Sequence, residues 1–139
     1  ETKEKRMIHT TNFELAGDFM EAYGQEIPVA PKWPDSKTQN LRLALIDEEV
    51  GELRQAILER DMVEVADALT DILYVVYGAG HAFGIDLDEC YNEVHRSNLT
   101  KLGEDGYPMK NAEGKVIKGP NYEEPDLQQF LHGFPERFL

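Results

Sequence analysis

Two adjoining helical patterns with one break between them decide the fold, and they occupy residues 45–74, LIDEEVGELRQAILERDMVEVADALTDILY. Leucine, isoleucine, valine and alanine recur there every three or four residues, the spacing that places them on one face of a helix. Asp61 interrupts the pattern as a helix N-cap, and Glu64 stands where it completes a capping box. The stretch is therefore predicted to form two helices that meet at Arg60 and Asp61 and fold back into an antiparallel hairpin.

Acidic side chains are unusually frequent in this hairpin and have few basic partners. Only Arg54 and Arg60 oppose nine acids. These acids are Asp47, Glu48, Glu49, Glu52, Glu59, Asp61, Glu64, Asp67 and Asp71. A solvated helix usually mixes both signs, since a Glu–Lys pair one turn apart stabilises it by about 0.2–0.5 kcal/mol. The missing partners indicate that some of these acids bind something else.

The spacing of the acids places two rows of carboxylates opposite each other. Glu49 and Glu52 are three residues apart and share one face of the first helix. Glu64, Asp67 and Asp71 follow the i, i+3, i+7 pattern and share one face of the second helix. A hairpin centred near residue 58 would bring Glu49 beside Asp67 and Glu52 beside Glu64.

Four converging carboxylates would repel one another and lose hydration, so the cluster requires protons or cations at neutral pH. Hard oxygen ligands select Mg²⁺, Mn²⁺ or Ca²⁺, and Mg²⁺ characteristically binds few carboxylates together with substrate phosphates. Either acid pair alone is more simply explained as a solvated helix face, and Glu64 as a capping residue. Two pairs in register across one hairpin favour a divalent metal site.

The rest of the chain predicts two more helices, about 11–23 and 86–102, beside the hairpin helices about 38–59 and 61–84. A proline-rich connection surrounds Trp33. In the last helix the residues expected to face the core are Leu87, Cys90, Tyr91, Val94 and Leu102. These elements indicate an all-α protein built as a four-helix-type bundle.

From Gly103 onward the composition changes to glycine, proline, asparagine and lysine. An irregular hairpin is predicted over 107–118, turning at 111–114, and one last helical turn over 127–130. We expect one domain over residues 1–139, with its helical part about 11–102 and a loop-rich C-terminal segment 103–139.

The charge balance limits the classes of partner. Lys and Arg number 14 against 27 Asp and Glu, for a net charge of -13. A surface this negative repels nucleic acids and anionic lipid, so neither is expected as a partner. The apolar stretch 66–84 contains Asp67, Asp71 and His81 and does not read as a membrane span. With Cys90 as the single cysteine and no signal peptide, the expected location is the cytoplasm.

The acid motif has a recognisable form. Glu48-Glu49-x-x-Glu52 followed by Glu64-x-x-Asp67 resembles the signature of the all-α nucleoside triphosphate pyrophosphatases, the superfamily of MazG-like proteins, dimeric dUTPases and phosphoribosyl-ATP pyrophosphohydrolases. The resemblance extends from residue 41 to residue 127 and includes the Asp-Ile-Leu-Tyr run at 71–74 and the Asn and Lys residues further along the chain.

The resemblance implies a helical bundle that forms a homodimer and binds Mg²⁺, or Mn²⁺ in its place. The implied metal ligands are Glu49, Glu52, Glu64 and Asp67, with Asp71 as a further ligand or as an acceptor behind the ligands. Glu48 is the implied catalytic base, which orients the attacking water. The implied reaction is metal-dependent hydrolysis of a nucleoside or deoxynucleoside triphosphate to the monophosphate and pyrophosphate.

Two alternatives to that reaction stay open. Phosphoribosyl-ATP pyrophosphohydrolases tend to carry a Lys-Val-Gly-Glu-Glu type of opening, where this chain has Leu-Ile-Asp-Glu-Glu at 45–49, so a free nucleotide is the preferred substrate. A non-catalytic divalent-metal-binding helical module would need the acid cluster but not Glu48, Asn98 or Lys101.

Residues outside the hairpin are predicted to bind the rest of the nucleotide. Asn98 and Lys101 lie one turn apart on the last helix, and they are expected to contact phosphates together with Lys115 and Lys118 from the C-terminal loop. Each lysine taken singly is equally explained as a solvated side chain. Trp33 and Tyr122 are the candidates for stacking on the base, Trp33 foremost because prolines bracket it in a loop.

Overall fold

The computed structural model describes residues 10–131, and its secondary structure in this range is mainly helical. The four α-helices are α1 Asn12–Ala22, α2 Ser36–Glu59, α3 Met62–Ala82 and α4 Leu87–Leu99. An antiparallel pair of two-residue strands follows, β1 Met109–Lys110 and β2 Val116–Ile117, and then a 3₁₀ turn, Gln128–Phe130. The predicted all-α class, with four helices and an irregular C-terminal segment, is confirmed.

Each helix begins after a residue whose side-chain oxygen accepts a backbone N–H of the first turn. These caps are Thr11 for α1, Asp35 for α2, Asp61 for α3 and Asp86 for α4. The predicted starts at Asp61 and Asp86 are confirmed. Helix α2 starts two residues before the predicted Thr38, because the Asp35 carboxylate accepts the Thr38 N–H at 2.8 Å.

The α2–α3 hairpin reverses within two residues. Arg60 takes up the left-handed conformation with φ of 54°, which ends α2 and turns the chain. The N–H groups of Arg60 and Asp61 donate to Ile57 and Ala56 carbonyls at 3.2 and 3.1 Å. The two helices then run antiparallel and pack along their length, so the bend sets which residues face each other.

Helix α1 packs on the C-terminal half of α3 through an aromatic stack over a glycine. The His81 ring lies parallel to the Phe13 ring, with centroids 3.8 Å apart, and its Nε2 lies 2.7 Å from the Phe13 carbonyl oxygen. Gly17 leaves room for the ring, since a Cβ there would stand 2.7 Å from His81 Cε1. This contact fixes α1 against the hairpin.

The proline-rich connection is held against the turn between α3 and α4. Gly84 has φ of +69°, and a Cβ there would lie 2.2 Å from the Ala30 carbonyl oxygen. The Lys32 N–H donates to the Phe83 carbonyl at 2.9 Å. Trp33, the next residue, is therefore placed beside the end of the α2–α3 hairpin that lies away from its bend.

Helix α4 buries a different face from the one predicted. Its buried residues are Cys90, Glu93 and Ser97, whereas Tyr91 is 73% exposed. Val94 and Leu102 are exposed as well, so the prediction that these three side chains face the core was wrong. The reason is that the C-terminal segment covers α4 through polar contacts, which an apolar pattern does not reveal.

Glu93 is the centre of those polar contacts. Its carboxylate accepts two N–H groups of Arg96, at 2.7 and 2.9 Å, and the backbone N–H of Asp126 at 2.6 Å. Ser97 Oγ donates to the Glu123 carbonyl at 2.7 Å. These bonds hold the pKa of Glu93 down to about 2, chiefly through Arg96 and then through the Asp126 N–H.

Helix α3 leaves one apolar face uncovered. Leu69, Leu73 and Val76, at i, i+4 and i+7, are 49%, 51% and 36% exposed, and we call them the α3 apolar face. Near the bend Ile57 and Met62 are also exposed. No helix within residues 10–131 combines the length and the apolar character that crossing a membrane requires.

We predict that Glu93 stabilises the protein at neutral pH and loses this effect in acid. Its pKa is lower in the folded chain than the ordinary value of 4.5, so its contribution is present above that value and disappears as pH falls towards 2. The E93Q variant should unfold at lower urea concentration at pH 7 and approach the wild type near pH 2. Urea titrations followed by circular dichroism measure this, with E89Q on the exposed side of α4 as control. Equal destabilisation of E93Q at both pH values would contradict the assignment.

Candidate functional site

Three carboxylates from the two hairpin helices converge at the α2–α3 seam. Glu49 and Glu52, one turn apart on α2, and Asp71 on α3 each offer one oxygen, and these oxygens lie within 4.8 Å of one another. We call this set the acid group. Oxygens that ligate one Ca²⁺ or Mg²⁺ ion lie at most about 4–5 Å apart, since each metal–oxygen bond is about 2.0–2.6 Å. The spacing is therefore that of ligands around one cation.

The partner across the seam differs from the one expected from the spacing. Asp71, not Asp67, joins Glu49 and Glu52, because the hairpin is centred at its bend and not at residue 58. That shift of two residues moves the residue opposite Glu49 by about one helical turn. Asp67 lies one turn nearer the bend, where its charge acts on Asp71. Glu64 lies in the first turn of α3, where its N–H donates to the cap.

The electrostatics of the acid group oppose full ionisation. Loss of hydration raises the pKa of Glu49 to about 7, with further contributions from Glu52, Asp71 and Glu48. Burial also raises the pKa of Asp71, followed by repulsion from Asp67 and Glu52. Glu49 Oε2 is shielded from solvent and has no hydrogen-bond partner among residues 10–131. A buried carboxylate oxygen without a donor is costly, and a divalent cation would satisfy it.

The acid group thus suits a hard divalent cation in three respects: its donor atoms, the spacing of these atoms and the unsatisfied oxygen of Glu49. All its donors are carboxylate oxygens, which suit Mg²⁺, Mn²⁺ or Ca²⁺ better than soft metals. Glu48, the predicted base, is exposed on α2 next to Glu49, and its charge contributes to the raised pKa there.

A cleft of about 590 Å³ opens at the end of the hairpin away from the bend. Its lining includes Gln25, Lys32, Trp33, Asp35 and Arg42. Trp33 is 55% exposed, and its ring meets Phe83 edge to face, with centroids 5.7 Å apart. The structure therefore places one of the two predicted base-stacking residues in a cleft large enough for a small ligand.

Arg42 is a residue of this cleft that the sequence analysis missed. Its guanidinium lies over Gly78 of α3, where an added Cβ would be 2.8 Å from Nη1, and its Nη2 donates to Gln25 Oε1 at 2.9 Å. The signal in the sequence was a single basic residue inside an apolar stripe, seven residues before Glu49.

The acid group and the cleft lie on one seam. Arg42 faces Gly78 in the same way that Glu49 faces Asp71. Arg42 lies seven residues from Glu49 on α2, and Gly78 lies seven residues from Asp71 on α3. Seven residues are two helical turns, or about 10 Å along the helix axis. A nucleotide spans this distance between its phosphates and the outer edge of its base.

The other predicted contacts lie elsewhere in the structure. Asn98 is exposed, and its carbonyl accepts the Lys101 N–H at 3.2 Å. Lys115 belongs to the turn between β1 and β2, and Lys118 Nζ lies 4.7 Å from the centre of the Tyr122 ring. Within residues 10–131 no hydrogen bond or ion pair connects these side chains to the acid group, and Tyr122 does not line the cleft. Their roles stay predictions.

Comparison with known proteins assigns the chain to a family. The family model of phosphoribosyl-ATP pyrophosphohydrolase matches residues 16–98, which is more than half of the chain and includes the whole acid group. The chain belongs to the phosphoribosyl-ATP pyrophosphohydrolase family. The predicted membership of the all-α pyrophosphatase superfamily is thereby confirmed.

Two further similarities extend over most of the chain. It is 40% identical over 112 residues to the uncharacterized protein L479 of Acanthamoeba polyphaga mimivirus, a match that covers 78% of this chain and 42% of that protein. The match thus covers less than half the length of this relative. A crystal structure of a candidate NTP pyrophosphohydrolase from Exiguobacterium sp. 255-15 aligns over 85% of this chain and 91% of that chain, with a TM-score of 0.46 and 20% identity.

We predict that the metal-free protein loses stability as pH rises from about 4.5 to about 7. The folded chain keeps a proton on Glu49 in this interval that the unfolded chain has released, so the free energy of unfolding falls with pH. Saturating Mg²⁺ should abolish this slope. Urea titrations at several pH values, in EDTA and in Mg²⁺, measure it.

The variant E49Q should show a smaller slope in EDTA, since only Asp71, whose pKa is also raised, then contributes from the acid group. The matched control is E59Q, which changes another glutamate of α2, whose carboxylate accepts from Gln55 at 2.7 Å. E59Q should behave as the wild type. An unchanged slope in E49Q would show that Glu49 is not the group that titrates.

Proposed function

We propose that the protein hydrolyses a nucleoside triphosphate to the monophosphate and pyrophosphate, with Mg²⁺, or Mn²⁺ in its place, as cofactor. The observation that carries this proposal is the acid group of Glu49, Glu52 and Asp71, whose buried Glu49 Oε2 has no partner within residues 10–131. The group shares a seam with a cleft that contains an exposed tryptophan. Membership of a pyrophosphohydrolase family supports the reaction class.

The proposed metal ligands begin with the acid group itself. Asp67 and Glu64 lie on the same helix as Asp71, nearer the bend. We propose that they bind the metal directly or accept hydrogen bonds from water molecules bound to it. A bound divalent ion neutralises phosphate charge and makes water more acidic. The chain's own carboxylates supply the negative charge that holds such an ion beside the substrate.

The proposed base is Glu48. Because it is exposed and adjacent to Glu49, its carboxylate can accept a proton from a water that approaches the α-phosphorus. The oxygen of that water forms the new bond to the α-phosphorus, the bond to the bridging oxygen of the β-phosphate breaks, and pyrophosphate leaves. Asn98, Lys101, Lys115 and Lys118 are assigned to the substrate phosphates, Trp33 to stacking on the base, and Tyr122 to a second contact with it.

The uncovered apolar surface supports the proposed homodimer. The α3 apolar face is solvent-exposed in a single copy, and a face of leucine and valine at helical spacing is typical of helix–helix packing. The proposed location is the cytoplasm, with which the single cysteine is compatible.

Phosphoribosyl-ATP is the second candidate substrate. The family model that matches residues 16–98 is that of the phosphoribosyl-ATP enzymes, which is the specific observation in its favour. Both substrates carry a triphosphate that is cleaved to release pyrophosphate, so the acid group serves either reaction. The two candidates are separated by offering both substrates under the same conditions.

We predict pyrophosphate release from at least one nucleoside triphosphate in Mg²⁺. Malachite-green detection with added inorganic pyrophosphatase measures it on dUTP, dCTP, dATP, dGTP, the ribonucleotides and phosphoribosyl-ATP. The variant E48Q should lose about 100-fold or more of the rate, the usual contribution of a general base, while Mg²⁺ binding by calorimetry is retained. E59Q is the matched control and should keep full activity.

Release from phosphoribosyl-ATP alone would assign the second candidate. No release from any of these substrates in Mg²⁺ or Mn²⁺ would contradict the enzymatic proposal. Retained Mg²⁺ binding in that case would identify a metal-binding helical module.

We further predict that the α3 apolar face mediates the dimer. Light scattering coupled to size exclusion should give twice the chain mass for the wild type, and L73E should shift the protein to monomer, because a carboxylate would be buried without a partner. V29E changes a valine that is fully exposed in the proline-rich connection, and it should leave the dimer intact. A monomeric wild type, or a dimeric L73E, would contradict this prediction.

A further inference from the structure

Three side chains that line the cleft carry hydrogen-bond donors: Gln25, Lys32 and Arg42. Arg42 carries only donors, and Lys32 likewise. Because a guanidinium has no acceptor, the Gln25 amide must turn its oxygen towards Arg42, at 2.9 Å, which leaves its NH₂ group as the donor free for other contacts. The cleft therefore presents N–H donors from three side chains.

The two carboxylates that line the cleft are already bound to the protein. Asp35 accepts the Thr38 N–H as the cap of α2, which lowers the pKa of Asp35. Glu26 lies 3.7 Å from the Lys32 ammonium group. The Lys32 ammonium group is thus partly neutralised by Glu26, whereas Arg42 and the NH₂ group of Gln25 have no carboxylate partner among residues 10–131.

Arg42 lies in the cleft at an energetic cost that its protein contacts do not offset. Within residues 10–131 no carboxylate lies within ion-pair distance of its guanidinium, and its Nε is buried without a hydrogen-bond partner. Burial lowers the pKa of Arg42 as a result. The guanidinium lies against α3 at Gly78, in space that a side chain there would share. An apolar residue would pack on α3 more favourably, which points to a role in binding.

We propose that Arg42, oriented by Gln25, reads the outer edge of the substrate base and selects bases with carbonyl acceptors, guanine first and uracil next, over adenine. A guanidinium donates two parallel bonds to O6 and N7 of guanine, whereas adenine presents an amino donor at the position of O6. In uracil O4 offers one acceptor. This inference rests on the proposed function, because it requires one nucleotide to occupy both the acid group and the cleft.

The distances along the seam support this assignment. Arg42 and the acid group are about 10 Å apart along the helix axis, since seven residues separate Arg42 from Glu49. Trp33 lines the same cleft, so a base stacked on its ring would present its edge within that space. The α2–α3 pair would thus bind the phosphates through the metal at the acid group and the edge of the base through Arg42, two turns away.

The test measures binding, so that it does not depend on turnover. Trp33 is the single tryptophan of the chain, and its fluorescence reports directly on ligands in the cleft. GMP, UMP and AMP are titrated into the full chain with Mg²⁺, with free tryptophan amide as the control for light absorption by the nucleotides. GMP is expected to bind at least ten-fold more tightly than AMP, with UMP between them.

The variant R42M should weaken GMP binding on the order of 10- to 100-fold and change AMP binding less than about two-fold. R42K keeps the charge without the planar fork and should also lose most of the preference for GMP. K37M removes an exposed cation of α2 that does not line the cleft and should bind all three nucleotides as the wild type does. Circular dichroism confirms that each variant is folded, and Q25M provides a second test if R42M does not fold, since an unoriented Arg42 should lose the same preference.

Equal binding of GMP and AMP by the wild type would overturn the proposal, and so would an equal loss for both nucleotides in R42M or in Q25M. The hydrolysis assay decides the proposed function separately. A preference for GMP that depends on Arg42, without hydrolysis of any triphosphate, would retain the base-reading site and refute the enzyme. Hydrolysis of a triphosphate without such a preference would support the enzyme and refute the base-reading site.

Discussion

The arrangement of the whole structure depends on one constraint, which is that Glu49 of α2 and Asp71 of α3 are kept close although they repel each other. Their oxygens, with that of Glu52, lie within 4.8 Å, and Glu49 Oε2 has no donor within residues 10–131. The cost is met by the rest of the hairpin, in which buried Ala56 and Ala68 allow the helices to approach closely. A bound divalent cation would turn this repulsion into attraction.

Glu93, which is buried, and Glu49, which is partly buried, show how differently a fold can use the same side chain. Glu93 accepts N–H groups from Arg96 and Asp126, which bring its pKa down to about 2. Glu49 faces other carboxylates and has its pKa raised to about 7. The first glutamate fastens the C-terminal segment to α4. The second is left unsatisfied, as a residue that binds a ligand is expected to be.

The antiparallel register of α2 and α3 also joins the two halves of the site. Because the two helices keep one register from the bend, Arg42 meets Gly78 two turns further along than Glu49 meets Asp71. Glycine at position 78 leaves space on α3, and the Arg42 guanidinium occupies the space that a side chain there would take. The α1 helix and the proline-rich connection close the far end of the seam, through the Phe13–His81 stack and the Lys32–Phe83 bond.

The sequence by itself determined the local structure. Side-chain caps such as Asp61 act on the residues next to them, and apolar spacing gives each helix its direction, so the helices, the bend and the hairpin at 111–114 could all be predicted. Glu49 and Glu52 could be grouped as well, since one turn of helix brings them together. What only the tertiary structure decided was which residues meet across elements. The exact position of the bend moved the partner of Glu49 by one turn, to Asp71. Only the approach of the proline-rich connection and of α3 to Arg42 revealed the cleft. Polar contacts from a distant segment covered α4, because hydrogen bonds between remote residues leave no period in the sequence.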